Sequence, residues 1–261
     1  MPTATEKRDS LVLIFAMVFP CFMAWIYFVV LAEATGGANP ALQIAFGTSK
    51  VVMALLPLAY VLGFERERLQ VKRPTTAGLT LAVLFGIIVA ASTVALYGLW
   101  LKQSPLLMGT PERVLRMVRA FNMATPVGYL GMGLFICVVH SLFEEYYWRW
   151  FVFGTLKRYI PVAGAIVLSS FGFMLHHIVI LGVYFPGRFW TLAMPFSICV
   201  AFGGGVWAWI YHKSGSLYAA WLSHVIIDTA ILLVGFDMIQ PHLGPMLWDG
   251  MNPTIEFPRR P

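Results

Sequence analysis

Seven stretches of this chain are each long and apolar enough to cross a lipid bilayer, and nothing constrains its fold more. A spanning helix needs about 20 consecutive apolar residues. The expected spans run Leu11–Leu31, Ala41–Phe64, Ala77–Leu101, Val127–Phe151, Pro161–Val183, Thr191–Tyr211 and Ser216–Phe236. Only 11% of the residues are charged, against roughly 25% in soluble domains, too few to keep a soluble fold of this size in solution. The expected fold is all-α, a polytopic transmembrane helix bundle of seven or eight spans. With no repeat or low-complexity tract, residues 1–261 read as a single integral membrane domain, multi-pass and placed in the plasma membrane.

The formal net charge is +6. In a soluble protein this would suggest nucleic acid. Here the basic residues gather between apolar stretches, where topology and anionic headgroups require them, so the bilayer is the expected partner and nucleic acid is not. With the N-terminus in the cytoplasm, the inner loops hold Lys7, Arg8, Arg66, Arg68, Lys72, Arg73, Lys157, Arg158 and Lys213. The outer side then holds Arg188, Arg259 and Arg260, together with Lys102, Arg113, Arg116 and Arg119, which are discounted as interfacial. Ala32-Glu33-Ala34 loosely fits a signal-cleavage site, but the apolar run before it exceeds the ~7–15 residues of a signal core, so a retained first helix is expected. Cys21, Cys137 and Cys199 sit in apolar stretches without ligand or disulfide spacing and read as small hydrophobes.

Between the third and fourth spans, Pro111 to Arg119 alternates arginines with apolar residues, which suits an amphipathic helix in the headgroup region or an eighth, partly inserted element. Lys50 in the second span is expected to snorkel to the surface, and Pro57 to kink that helix. Residues 236–261, rich in proline, read as an irregular tail.

Ionisable residues inside spans cost about 2.5–3.5 kcal/mol each on insertion scales, and so mark function by default. Three spans carry them in compact clusters. The first runs from His140 to Arg149. There Glu145 and Arg149 are four apart on one helical face, in the favourable order for a pair. Glu144 points about 100° away and is left as the carboxylate with free chemistry. His140 is within reach of Glu144; with His212 and His242 it reads as structural or interfacial. The second cluster ends in His176-His177, adjacent rings of which only one should easily reach a site shared with Glu144. The third places His224 and Asp228 on one face. At about 1.5 Å per residue, Glu144 lies ~20 Å before Lys157, His177 ~24 Å after Pro161, and His224 and Asp228 ~17 and ~23 Å after Lys213. Alternating spans put those loops on one side of the membrane, so all four side chains share one mid-membrane layer.

These clusters resemble the three motifs of the type II CAAX prenyl endopeptidase family, also called the CAAX-protease and bacteriocin-processing family of glutamic-type intramembrane proteases. Glu144-Glu145 through Arg149 looks like its Glu-Glu-x-x-x-Arg, Phe173 through His177 like its Phe-x-x-x-His, and His224 through Asp228 like its His-x-x-x-Asn/Asp. Gly215-Ser216-Leu217 resembles the family's approach to the third motif. The resemblance covers residues 127–235, which would form the catalytic core. It implies an endopeptidase in which Glu144 and His177 activate a water, His224 with Asp228 stabilises the oxyanion, and Glu145, Arg149 and Phe173 support them. The motif register favours His177 over His176. Asp228 stands where the family often has Asn. An ionised Asp cannot donate to an oxyanion, so Asp228 is either protonated in its buried site or, the preferred reading because the two share a helical face, orients and charges His224. No cofactor and no metal are expected, since His-Glu-x-x-His is missing, although Glu, two His and Asp are possible zinc ligands. The implied partner is a membrane-associated or lipid-modified protein or peptide substrate. Two other functions fit the same clusters: a non-catalytic bacteriocin-immunity or partner-binding protein, and a proton- or ion-coupled transporter.

Overall fold

The computed structural model describes residues 3–32, 37–65 and 72–243. Seven helices are long and apolar enough to cross a membrane: α1 (Thr5–Leu31), α2 (Pro40–Phe64), α3 (Thr76–Gln103), α5 (Pro126–Leu156), α6 (Val162–Tyr184), α7 (Phe189–Ser214) and α8 (Leu217–His242). A shorter amphipathic helix, α4 (Thr110–Ala120), lies between the third and fourth of these. No strand occurs among the described residues. The proline-rich part of the expected tail, the acidic centre of the cleavage-like tripeptide and the basic residues Arg66, Arg68, Arg259 and Arg260 lie outside the described residues. The last helix runs past the expected Phe236, with α-helix to Ile239 and one tighter turn to His242.

Local chemistry starts and stops the helices where the apolar runs do. Thr3 caps α1: its hydroxyl accepts from the Glu6 backbone N–H, and the Glu6 carboxylate accepts from the Thr3 N–H. Asn39 accepts from the Leu42 N–H just ahead of Pro40, and its amide donates back to the Leu31 carbonyl, tying α2 to the end of α1. Thr75 and Thr125 cap α3 and α5 in the same way. Helix α7 ends at Gly215, whose φ of +66° is left-handed and suits glycine.

The bundle is inverted relative to a soluble protein. Its outer surface is apolar, with Leu130 72% exposed, while Glu144, Glu145, Arg149, His176 and His224 are buried. Helix α3 packs along α8, α6 along α7, and α1 along α6. Gly172 marks one close approach: a Cβ there would lie 2.8 Å from the Trp148 ring and 2.9 Å from Met17, so only hydrogen fits between α1, α5 and α6. Helix α4 buries Leu115, Met117, Val118 and Ala120 against neighbouring helices. One face of this amphipathic element, expected in the headgroup region or partly inserted, is part of the bundle. Cys137 is buried and Cys21 half-buried, but Cys199 faces outward, where a thiol in an apolar span meets lipid as readily as a small hydrophobe would.

Helix α5 departs most from regular α-geometry. Wide π-type turns occupy Phe135–His140 and Tyr146–Phe153, and between them lies a single α-helical turn and a half, Ser141–Glu145. Such turns are rare and collect at functional sites, because they free carbonyls and rotate side chains relative to a regular helix. Here the loosened backbone is tied from outside. The Trp221 indole N–H on α8 reaches the Val138 carbonyl at 2.9 Å and the Ser141 hydroxyl at 3.1 Å, and the Ser141 hydroxyl donates to the Cys137 carbonyl.

Candidate active site

The two carboxylates of the short α-helical turn in α5 divide their partners. Glu144 is surrounded by imidazoles: its Oε1 lies 3.1 Å from His140 Nε2 and 3.4 Å from His176 Nε2, and its Oε2 lies 3.7 Å from His224 Nε2. Its side chain is 5% exposed. Glu144 lacks the Arg149 pairing, and three helical faces aim rings at it. His140 is brought into the site with it, because the turns of α5 stack residue 140 over residue 144.

A correction concerns the adjacent histidines of α6, of which only one was expected to reach the site easily. Both reach Glu144. Ligand atoms of Glu144, His176 and His177 all lie within 4.8 Å of one another, and the two rings are 4.1 Å apart, tilted by 45°. Consecutive helical residues diverge by about 100°, but long side chains converge when the acid lies opposite the midpoint between them. His177 Nδ1 is 3.0 Å from the Phe173 carbonyl one turn back. That oxygen can only accept, so Nδ1 carries the proton and the neutral ring presents Nε2 as an acceptor. His176 stacks on Trp148, with centroids 5.9 Å apart and planes 10° from parallel.

Glu145 pairs with Arg149 as expected, at 3.2 Å, and also holds His224: Nδ1 donates to Glu145 Oε1 at 2.9 Å. This bond was not legible from spacing, because it joins α5 to α8. It leaves His224 Nε2 pointing between Glu144 Oε2 and Asp228 Oδ1, the latter at 3.6 Å. The close orienting partner of His224 is thus Glu145, with Asp228 further off on the other nitrogen. Arg149 lies 4.6 Å from the Phe173 ring centre and 5.2 Å from that of Trp207. Phe173 also meets His176, His177 and His224 edge-on. Trp207 on α7 stacks on His224 at 4.1 Å. It carries no charge and belongs to no motif, so the sequence held no signal for it.

Lys50 on α2 is a further correction. It lies ten residues from Pro40 and fourteen from Phe64, about 15 and 21 Å of helix, further than its stem can snorkel. Its amine instead sits 5.1 Å from the Phe46 ring centre and 3.9 Å from Met53 Sδ, close enough to Glu144 and His140 for their charges to interact. Its distance from both span ends, beyond a lysine's reach on either side, was the signal that would have found it.

Beside this centre, between α2, α5 and α8, an apolar cavity of about 380 Å³ is lined by Ala54, Leu58, Leu142, Phe143, Tyr146 and Trp150 among others, with Lys72 at its edge. Phe143, which lines it, adjoins Glu144 in the chain.

The arrangement offers a base beside several imidazoles, an N–H donor held by a buried carboxylate, and an apolar groove alongside. Glu144, His176 and His177 also have the donor types a metal ion takes. Residues 126–230 match the family model described as type II CAAX prenyl endopeptidase, Rce1-like. No curated protein and no solved structure matches the chain. The matched segment begins at the first residue of α5 and ends two residues beyond Asp228, enclosing all three clusters, so this part of the seven-span membrane protein is similar to the Rce1-like type II CAAX prenyl endopeptidases.

Proposed function

We propose that this protein is an intramembrane endopeptidase that hydrolyses a peptide bond of a lipid-modified substrate with a water activated by Glu144. The supporting observation is the burial of Glu144 among His140, His176 and His224, with His177 beside them, at the meeting of α5, α6 and α8. A carboxylate confined with imidazoles and shielded from bulk water is a competent base. Glu144 takes a proton from water while the hydroxide oxygen bonds to the carbonyl carbon. The negative charge moves to the carbonyl oxygen, where the Nε2–H of a charged His224, held through Nδ1 by Glu145, donates to it. Asp228 balances that charge. The C–N bond then breaks, and the leaving amine takes its proton from Glu144 by way of His177 Nε2. The products are a new carboxyl terminus and a free amine. The substrate's lipid chain lies in the apolar cavity beside Phe143, which suits a prenylated chain end entering from the bilayer.

A second reading rests on the convergence of Glu144, His176 and His177: a metal ion held there would lower the pKa of its bound water and supply the hydroxide directly. The experiment compares hydrolysis of a farnesylated tetrapeptide by the purified, reconstituted protein before and after a strong chelator, then after zinc is returned. The base mechanism expects full activity in chelator. Loss with chelator and recovery with zinc supports the metal, and no hydrolysis under any condition overturns both. Within the same assay His177→Ala is expected to slow cleavage by about 10²-fold or more. A rate equal to wild type would remove His177 from the proton path.

A further inference from the structure

Lys50 is the one charged group beside this centre that the proposed reaction leaves unused. Its depth is fixed by a bond between helices. The Tyr146 hydroxyl on α5 donates to the Ala54 carbonyl on α2 at 3.1 Å, and Lys50 lies one turn from Ala54, on the side toward His140. The Phe46 ring carries the contact further, stacking on His140 with centroids 6.3 Å apart while the Lys50 amine sits 5.1 Å from its centre. Two neighbours of the amine, a thioether and a ring face, are soft and uncharged. No carboxylate of the described residues forms an ion pair with it, although Glu144 is within electrostatic range. By contrast, the other buried cation of the site, Arg149, has Glu145 at 3.2 Å. An ammonium at mid-membrane depth without a carboxylate is costly unless something anionic reaches it during function.

We propose that Lys50 is the anion-binding residue of this site and receives the free C-terminal carboxylate of the peptide substrate. The inference rests on the protease reading and adds to it the group by which a chain end is told from an internal bond. An extended tripeptide spans about 10 Å, so a peptide whose scissile carbonyl lies at Glu144 and whose last residue turns toward α2 brings its carboxylate to a lysine one helix away. Met53 and Phe46 then exclude water from the new ion pair, and an amide or a continuing chain at that position leaves the ammonium unpaired. A lysine that only tuned the charge of Glu144 would affect all substrates alike.

The test uses one farnesylated Cys-Val-Ile-Met peptide in two forms, free acid and C-terminal amide, with full-length protein in lipid nanodiscs. Binding is measured in the Glu144→Gln background, where no turnover intervenes, and cleavage of both peptides is followed in parallel with the unsubstituted enzyme. The acid is expected to bind at least tenfold more tightly than the amide, Lys50→Met and Lys50→Gln to bring that ratio close to one, and Lys50→Arg to retain most of it. A ratio near one with Lys50 intact, or an undiminished ratio in the Lys50→Gln protein, overturns the assignment. Acid preference lost with Lys50 but no cleavage by the enzyme would leave the anion site standing and remove the protease reading. Cleavage with equal binding of acid and amide would do the reverse.

Discussion

Single side chains carry the chemistry, and their partners set what each substitution should cost. Glu145 bonds Arg149 and His224 together, so Glu145→Gln keeps the shape but removes the charge that both cations face. It is expected to lower kcat by about 10-fold or more, with a smaller change in KM, since His224 acts on charge developing in the transition state. Equal losses in kcat and in binding would place Glu145 in structural support alone. Arg149→Met leaves Glu145 with one partner in a buried setting, and a loss of about 3–5 kcal/mol of stability is expected, read as a lowered unfolding temperature in detergent. At this scale the sequence was a good guide within helices and a poor one between them. The i,i+4 pairs Glu145–Arg149, His140–Glu144 and His224–Asp228 followed from helical geometry. The Glu145–His224 bond, the stacking of Trp207 and the inward turn of Lys50 depend on how α5, α7, α8 and α2 sit against one another, which no spacing within a helix encodes.

Among the elements, α5 is the one whose distortion matters. Its apolar length was legible, but its π-type turns were not: no pattern in the sequence marked them, and the bonds to Trp221 beside the first of them come from another helix. The Trp221 indole satisfies the Val138 carbonyl and the Ser141 hydroxyl next to the turn that carries Glu144 and Glu145. Trp221→Phe keeps the ring and removes that donor. It is expected to cost about 1–3 kcal/mol for the orphaned groups and to reduce cleavage, because Glu144 and Glu145 lose their rotational setting. Unfolding by calorimetry and peptide turnover read the two effects separately, and unchanged turnover would show that the turn holds itself. Gly172 tests the packing of α6 in the same way. Gly172→Ala drives a methyl into Trp148 and Met17, with an expected loss of about 1–3 kcal/mol and a displaced His176, since His176 stacks on the same indole.

At the scale of the molecule, low charge and seven apolar runs predicted the fold, and the observed spans begin and end within a few residues of them. That agreement has a physical basis: bilayer thickness sets the length of every span. Residues 110–120 were harder to place, since an amphipathic face suits a headgroup layer and a groove in the bundle equally well, and only the packed structure tells them apart. Alternation of the spans puts the loops after α5 and after α7 on one side and the loop after α6 on the other. A membrane-impermeant maleimide is therefore expected to label cysteines introduced at Lys157 and Lys213 from the same face and at Arg188 from the opposite face; labelling of all three from one side would contradict the seven-span arrangement. The central claim is tested most directly by tripeptide release from a farnesylated substrate, comparing the reconstituted wild-type protein with Glu144→Gln. The account expects the substitution to abolish release, by about 10³-fold or more, with the unfolding temperature essentially unchanged; release by Glu144→Gln at the wild-type rate would contradict it.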